Sequence, residues 1–278
     1  MALVCETTAL AQTAVEKALA ESIEAAGPLI AGARKADRKS KDARDTVKEA
    51  VRILRPRVKM VRKGCWTTKK VTHLRAFAQT WNEMITVAHF HGLKPKGGYI
   101  LERISFAYGR LIGAVPVSTR WRWKWPRTDQ LAVEFRILRP DEKSVMRHIK
   151  VWRYKWNTVY SGVGGENAKK LARAILEIER DNARGTGRKA SKTVGVRKLN
   201  RHFPRAHYYF AQTFDDDLQK DVTSRNYYFK DKTARFCVEV IELKGKPSDD
   251  QILAWRVKDK DPELRAFLDS IKRNPAWD

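Results

Sequence analysis

The chain has 278 residues, 57 of them Lys or Arg and 32 Asp or Glu, for a formal net charge of +25. A hydrophobic fraction of 42% with 10% aromatics is enough to bury a core, which excludes a purely disordered basic tail. Solubility needs only roughly 2–8 units of charge on a small domain, and larger same-sign charge repels itself, so the excess points to a polyanionic partner.

Residues 7–26 are rich in Ala and Glu, and Val15, Leu19 and Ile23 recur at helical spacing. Gly27-Pro28 is the expected stop. Residues 34–55 predict a second, highly charged helix, with Val47, Val51, Leu54, Val58 and Val61 forming a heptad-like seam. Pro56 predicts a break or kink near Arg55. Thr67 or Thr68 can cap a helix reaching His91, whose apolar set includes Val71, Leu74, Phe77, Trp81, Met84, Ile85 and Ala88. A further helix is expected over 99–112 on the spacing of Ile100, Ile104, Tyr108, Leu111 and Ile112.

The run Arg120-Trp121-Arg122-Trp123-Lys124-Trp125 alternates strictly, as does Leu131-Val133-Phe135-Ile137, which predicts a Trp-rich β-hairpin with Pro126 in its connection. Residues 141–160 are expected as a helix from Val145, Ile149, Trp152, Trp156 and Val159, and glycines 162, 164 and 165 mark a loop. Leu171, Ile175 and Ile178 predict another helix to about Asn182. Residues 183–205 have no period and read as a mobile loop or linker. Strands are predicted at Tyr208–Phe214, Tyr227–Phe229 and Arg235–Leu243. Ser248 with Gln251 is a capping-box pattern, and Pro262 opens a terminal helix carrying Leu264, Phe267, Leu268 and Ile271.

The expected architecture is α+β: a mainly helical, basic amino-terminal part with the short hairpin, then a smaller β-hairpin plus helices. Its divisions are a charged helical arm (1–63), a helical core with the hairpin (64–183), a basic linker (184–205) and an α+β module (206–278). Charge is uneven along this order. Residues 34–75 hold 16 basic and 4 acidic residues, 120–160 hold 11 and 4, and 184–205 hold 8 and none, whereas 211–278 hold 13 and 14. A binding face joined to a neutral scaffold or assembly element would give this distribution.

The candidate phosphate-binding residues follow from it. They are Arg52, Arg55, Arg57, Lys59, Arg62 and Lys63 in the charged helical arm and Lys69 and Lys70 just after it. The hairpin adds Arg120, Arg122 and Lys124, with Trp121 and Trp123 able to stack on bases. The linker adds Arg184, Arg188, Lys189, Lys192, Arg197, Lys198, Arg201 and Arg205. The predicted helix pair over 68–112 could also form a helix-turn-helix, although its loop exceeds the usual three to four residues.

Other chemistry is thinly supported. Cys5, Cys65 and Cys237 form no CxxC pair, which argues against a zinc knuckle or disulfide framework and for a reducing compartment. His89 and His91 stand two residues apart and would point to different sides of a helix. Asp215-Asp216-Asp217 lacks the lysine partner of a magnesium nuclease. No metal or cofactor is expected. His202-Phe203-Pro204-Arg205 carries a His-x-x-Arg pattern that resembles the tyrosine recombinases over four residues, which would imply strand cleavage by Tyr227 or Tyr228. Arg188 lies too close upstream for that family's layout. There is no P-loop, dinucleotide fingerprint or Gly-x-Ser-x-Gly. The N-terminus carries Glu6, Glu16 and Glu21, unlike a secretory signal, and no run of 18 apolar residues exists.

The leading expectation is a non-enzymatic nucleic-acid-binding protein with DNA favoured slightly over RNA, located inside the cell (cytoplasm, nucleoid or nucleus). The alternatives are a structural subunit of a nucleoprotein assembly, self-associating through the N-terminal helices or C-terminal module, and a strand-breaking and rejoining enzyme. Membrane-surface binding is disfavoured because residues 34–55 carry too narrow an apolar stripe.

Overall fold

The computed structural model describes all residues except 1, 64–71, 107–109, 119–120, 125–131, 139–144, 155–166, 216–219, 232–233, 243–261 and 278. Its elements bear out an α+β fold with antiparallel sheets. They group into two compact units, residues 1–102, 115–119 and 261–266 against residues 103–114, 120–260 and 267–278.

Three helices dominate the first unit: α1 (Ala2–Lys35), α2 (Lys41–Lys63) and α3 (Thr72–Phe90). Their apolar stripes meet in one core. Leu19, Ala26 and Ile30 come from α1, Val47, Leu54 and Val61 from α2, and Phe77, Trp81 and Ile85 from α3. The 4-3-4-3 seam read in α2 is the face it buries, with Val51 only partly covered. Polar side chains fasten the chain beyond α3. Asn82, fully buried, donates from Nδ2 to the carbonyls of Ile100 (2.7 Å) and Val117 (2.8 Å) and accepts from Ile100 N (2.7 Å) at Oδ1. Trp81 Nε1 donates to Gly98 O at 2.8 Å.

The stop expected at Gly27-Pro28 does not occur, nor does a break of the helix at Pro56. Helix α1 runs through Gly27-Pro28 to Lys35, and α2 runs through Pro56 to Lys63. A proline inside a helix costs about 3 kcal/mol through its missing N–H and its clash with the preceding turn. Both prolines are exposed, and each interrupts a helix whose buried stripe continues beyond it, Ile30 and Ala33 in α1, Val58 and Val61 in α2. Core burial on both sides outweighs the local penalty.

Residues 101–116 are strands where a helix was expected: β1 (Leu101–Phe106) and β2 (Leu111–Pro116), in a three-stranded sheet with β10 (Lys272–Arg273). Ile104 and Phe106 are buried while Arg103 and Ser105 between and beside them are exposed, the period-2 pattern of a strand. Gly113 is required in β2, because a Cβ there would meet the Phe106 ring at 2.6 Å.

The second unit is built on a seven-stranded antiparallel sheet ordered β3-β4-β5-β9-β8-β7-β6. The Trp-rich hairpin forms as expected, β3 (Trp121–Lys124) pairing antiparallel with β4 (Ala132–Leu138). Strand β5 (Val145–Tyr154) replaces the helix expected over 141–160. It lies between β4 and β9, with Ile149 and Val151 wholly buried. Lys150 and Trp152, which alternate with them, are only half-buried, the period-2 pattern of a strand. Strands β7 (Ala206–Asp215) and β8 (Lys220–Asp231) extend two of the predicted strands, and β9 (Ala234–Glu242) covers the third as far as Glu242. Helix α4 (Ala168–Ala183), capped by Asn167 Oδ1 accepting from Lys169 N at 2.9 Å, packs on β7 and β8 through Leu171, Ala172 and Leu176.

Residues 184–205 lie along the sheet instead of hanging free. They carry β6 (Gly195–Arg197) at the sheet edge, an isolated bridge between Ala190 and Ala211, and a bond from Gln212 N to Lys189 O at 2.8 Å. Leu199 and Asn200 are wholly buried. Helix α5 (Pro262–Ser270) follows as predicted from Pro262, while the capping-box pattern at Ser248 and Gln251 lies outside the described residues. Among the described residues no helix is long and apolar enough to cross a membrane.

Candidate nucleic-acid interface

The rotation of α2 is set by its buried seam. At about 100° per residue, Lys41, Lys48, Arg52, Arg55 and Lys59 fall in one stripe roughly 80–140° round the helix from that seam. All five are exposed. From Lys41 to Lys59 the stripe extends about 27 Å at 1.5 Å per residue. Lys48, Arg52 and Arg55 also line an open groove of about 530 Å³ with Val51 and Pro56. Two of the cations have neighbours on the same helix: Lys48 Nζ bonds Asp45 at 2.7 Å, and Arg52 holds Glu49 through Nε at 2.8 Å and Nη2 at 2.6 Å. These bonds hold both carboxyls below the usual carboxylate range, hydrogen bonding being the main cause. Exposed pairs of this kind are screened by salt and readily exchanged for a phosphate. Arg55 and Lys59 have no carboxylate partner among the described residues.

The other candidates on this segment divide. Arg57 is half-buried on the opposite flank of the seam. Arg62 is committed internally, its Nη2 donating to the carbonyls of Gly98 (3.1 Å) and Tyr99 (3.2 Å), with burial pulling its basicity down. Lys63 ends the helix, and Lys69 and Lys70 lie outside the described residues, as does Arg120 on the hairpin. In β3, Trp121 is paired with Ile137, Arg122 with Arg136, Trp123 with Phe135 and Lys124 with Glu134. The row holding Trp123 and Phe135 continues through Ile149 and Val240, which are both wholly buried.

Along residues 184–205 the structure separates cations with internal work from those without. Arg184 pairs with Asp181 at 3.2 Å. Arg188 Nε bonds Asp221 Oδ1 at 2.8 Å and lies over the Phe214 ring at 5.6 Å. Arg197 lies over the Tyr208 ring at 4.3 Å. Lys189 is exposed and shares its backbone with β7. Lys192, Lys198, Arg201 and Arg205 are exposed and have no carboxylate partner among the described residues.

Two further cations escaped the sequence reading. They are Lys169 and Arg173, which with Arg205 and, first of all, burial hold His207 below the usual histidine range. Lys169 and Arg173 stand four residues apart on α4, a spacing that puts them on one face of the helix. That i,i+4 pair was the available signal.

The remaining sequence candidates are structural. His91 is buried, with Nε2 2.8 Å from Ala33 O and Nδ1 3.1 Å from Arg38 O, tying the α1–α2 connection to the end of α3. Tyr227 and Tyr228 are 6% and 2% exposed within β8, out of reach of a nucleic-acid strand. The described residues contain no group of three or more His, Cys, Asp or Glu placed to hold a metal.

No protein-family model matches the chain, and no curated protein does. Solved structures similar to it include a protein of Bacteroides thetaiotaomicron (11% identity, TM-score 0.37, 64% of this chain against 50% of that one). The chain thus spans about half the length of that structure. Others are the Ran-binding protein Mog1p of Saccharomyces cerevisiae (9%, TM-score 0.36, 62% and 94%) and LpqN of Mycobacterium tuberculosis, involved in cell envelope biogenesis (11%, TM-score 0.35, 63% and 92%). Scores this low carry no inference about function.

Proposed function

We propose that this protein binds nucleic acid by gripping the phosphate backbone, without a catalytic step of its own. One observation supports the reading above others. Exposed cations on both units, Arg55 and Lys59 on α2 and Lys192, Lys198, Arg201 and Arg205 along β6, have no carboxylate partner among the described residues, although the chain holds 32 acids. Cations left unpaired on hydrogen-bonded elements are already ordered, so a phosphate chain meets them without the entropy of fixing a disordered tail. Backbone contacts of this kind are sequence-tolerant and strongly salt-dependent.

The test is a salt-titrated binding competition among duplex DNA, single-stranded DNA and RNA, with duplex DNA the first ligand. Neutralising about eight phosphates on a duplex gives a slope of log K against log salt near −7. Replacing Arg55 and Lys59 together with Gln should make that slope shallower by about 2, roughly one per lost phosphate contact. A wild-type slope shallower than about −2 would end the reading. Sedimentation of the same mixtures separates a simple binder from an assembly subunit, since only the latter forms large regular particles.

A further inference from the structure

A pocket of about 390 Å³ lies within the second unit, away from the α2 stripe in sequence, with a floor from β2 (Ile112, Gly113 and Ala114) and charged walls from three other segments. Strand β1 contributes Arg103, the loop after β6 contributes Arg201 and His202, and the end of α5 with β10 contributes Asp269 and Lys272. We infer that this pocket is a receptor for a phosphate monoester, a terminal phosphate with an organic group attached.

Charge selects the ligand. Arg103, Arg201 and Lys272 carry three positive charges and Asp269 one negative, so the charged groups lining the pocket sum to two positive charges. A phosphate monoester at neutral pH carries about −1.5 to −2, whereas each phosphodiester of a chain interior carries one negative charge. Size agrees, since the volume lies in the range of about 300–1,000 Å³ common for small-ligand pockets and exceeds what a bare phosphate needs. The backbone at the floor is already occupied. Ala114 N donates to Ser270 Oγ at 2.7 Å, and that hydroxyl lies 2.9 Å from Ala114 O and 2.6 Å from Phe267 O. Recognition therefore falls to the charged side chains.

The loop that bears two of them is held rigidly. Asn200 is wholly buried and accepts at Oδ1 from His202 N (2.8 Å) and Phe203 N (2.9 Å). Arg201 Nε then donates to His202 Nε2 at 3.2 Å. A guanidinium cannot accept, so Nε2 is the unprotonated nitrogen and Nδ1 carries the ring hydrogen, a donor for a phosphate oxygen. Arg201 and Lys272 share the pocket wall with this imidazole, and after burial they hold it below the usual histidine range.

This inference goes beyond backbone binding and does not need it. The test is titration of the full chain with inorganic phosphate, adenosine 5′-monophosphate and adenosine, read by calorimetry and by the His202 NMR resonance. The mononucleotide should bind, adenosine should bind at least tenfold more weakly, and the His202 titration midpoint should rise on phosphate addition. Arg103→Gln and Lys272→Gln, at exposed positions, should each weaken the mononucleotide at least tenfold while leaving the duplex-DNA salt slope in place. Asp269→Asn should tighten it at least threefold. Oligonucleotides with and without a 5′-phosphate then name the source. Preference for the phosphorylated end over the mononucleotide marks a nucleic-acid terminus, and equal binding marks a free mononucleotide. Equal affinity for nucleotide and nucleoside, or Arg103→Gln and Lys272→Gln proteins with a native spectrum that bind like wild type, would overturn the assignment.

Discussion

Asn200 shows how much one side chain can hold in place. Its amide makes all four bonds its chemistry allows, two accepted at Oδ1 from the loop and two donated from Nδ2 to the carbonyls of Leu268 (2.6 Å) and Ile271 (2.8 Å). Asn200→Asp keeps the shape but sets a carboxylate oxygen against two carbonyl oxygens. The expected loss is about 3 kcal/mol or more, read as a lower urea midpoint with unchanged slope. A second, half-buried polar group works in the opposite sense. Glu179 on α4 has one carboxyl oxygen buried with no hydrogen-bond partner among the described residues. Burial chiefly, and Glu239 next, raise its affinity for a proton, opposed by a bond from Thr213. Glu239 itself accepts from Trp152 Nε1 at 2.8 Å. A folded state that binds the proton more tightly than the unfolded one loses stability as pH rises from the ordinary glutamate range through the raised folded value. Glu179→Gln should remove that decline, so the variant should exceed wild type in stability at pH 8 and approach it at pH 4 in parallel denaturation curves.

At the scale of elements, α2 shows burial overruling a local rule. Pro56 lies mid-helix and exposed, and the helix continues because Val58 and Val61 beyond it are buried. If core packing is what carries the helix past the ring, Pro56→Ala should restore the missing donor and stabilise the protein by about 1–3 kcal/mol, seen as a higher melting temperature. An unchanged or lower melting temperature would show that the proline fits the helix without strain. Strands β1 and β5 show the complementary case. Their side chains contain enough apolar residues to satisfy a 3.6-residue period on paper, and hydrogen bonding to neighbouring strands decided otherwise. The basic stretch along β6 likewise gains its order from the open edge of β7.

For the whole molecule, the net charge of +25 costs stability through self-repulsion that no local contact removes. Screening should relieve it. The Debye length falls from about 10 Å at 0.1 M to about 3 Å at 1 M ionic strength, so the melting temperature should rise over that range in sodium chloride. A melting temperature that fell would mean that ion pairs such as Arg188–Asp221, and not repulsion, dominate the electrostatics.

What the sequence by itself determined was local or compositional: the polyanion-directed charge and its uneven placement, the periodic helices α3, α4 and α5, the buried seam of α2, the Trp-rich hairpin and the strands β7 to β9. Each of these depends on residues within a few positions of one another, where helical and pleated periods are visible in the order of side chains. Tertiary structure alone decided which cations were left over. Arg62, Arg188 and Arg197 looked like their neighbours in the sequence but are engaged by Gly98 and Tyr99, by Asp221 and by Tyr208. It also brought Arg103, His202 and Lys272 to one pocket from three distant segments. Ion pairs, strand edges and pocket walls join residues far apart along the chain, and periodicity holds no record of such partners.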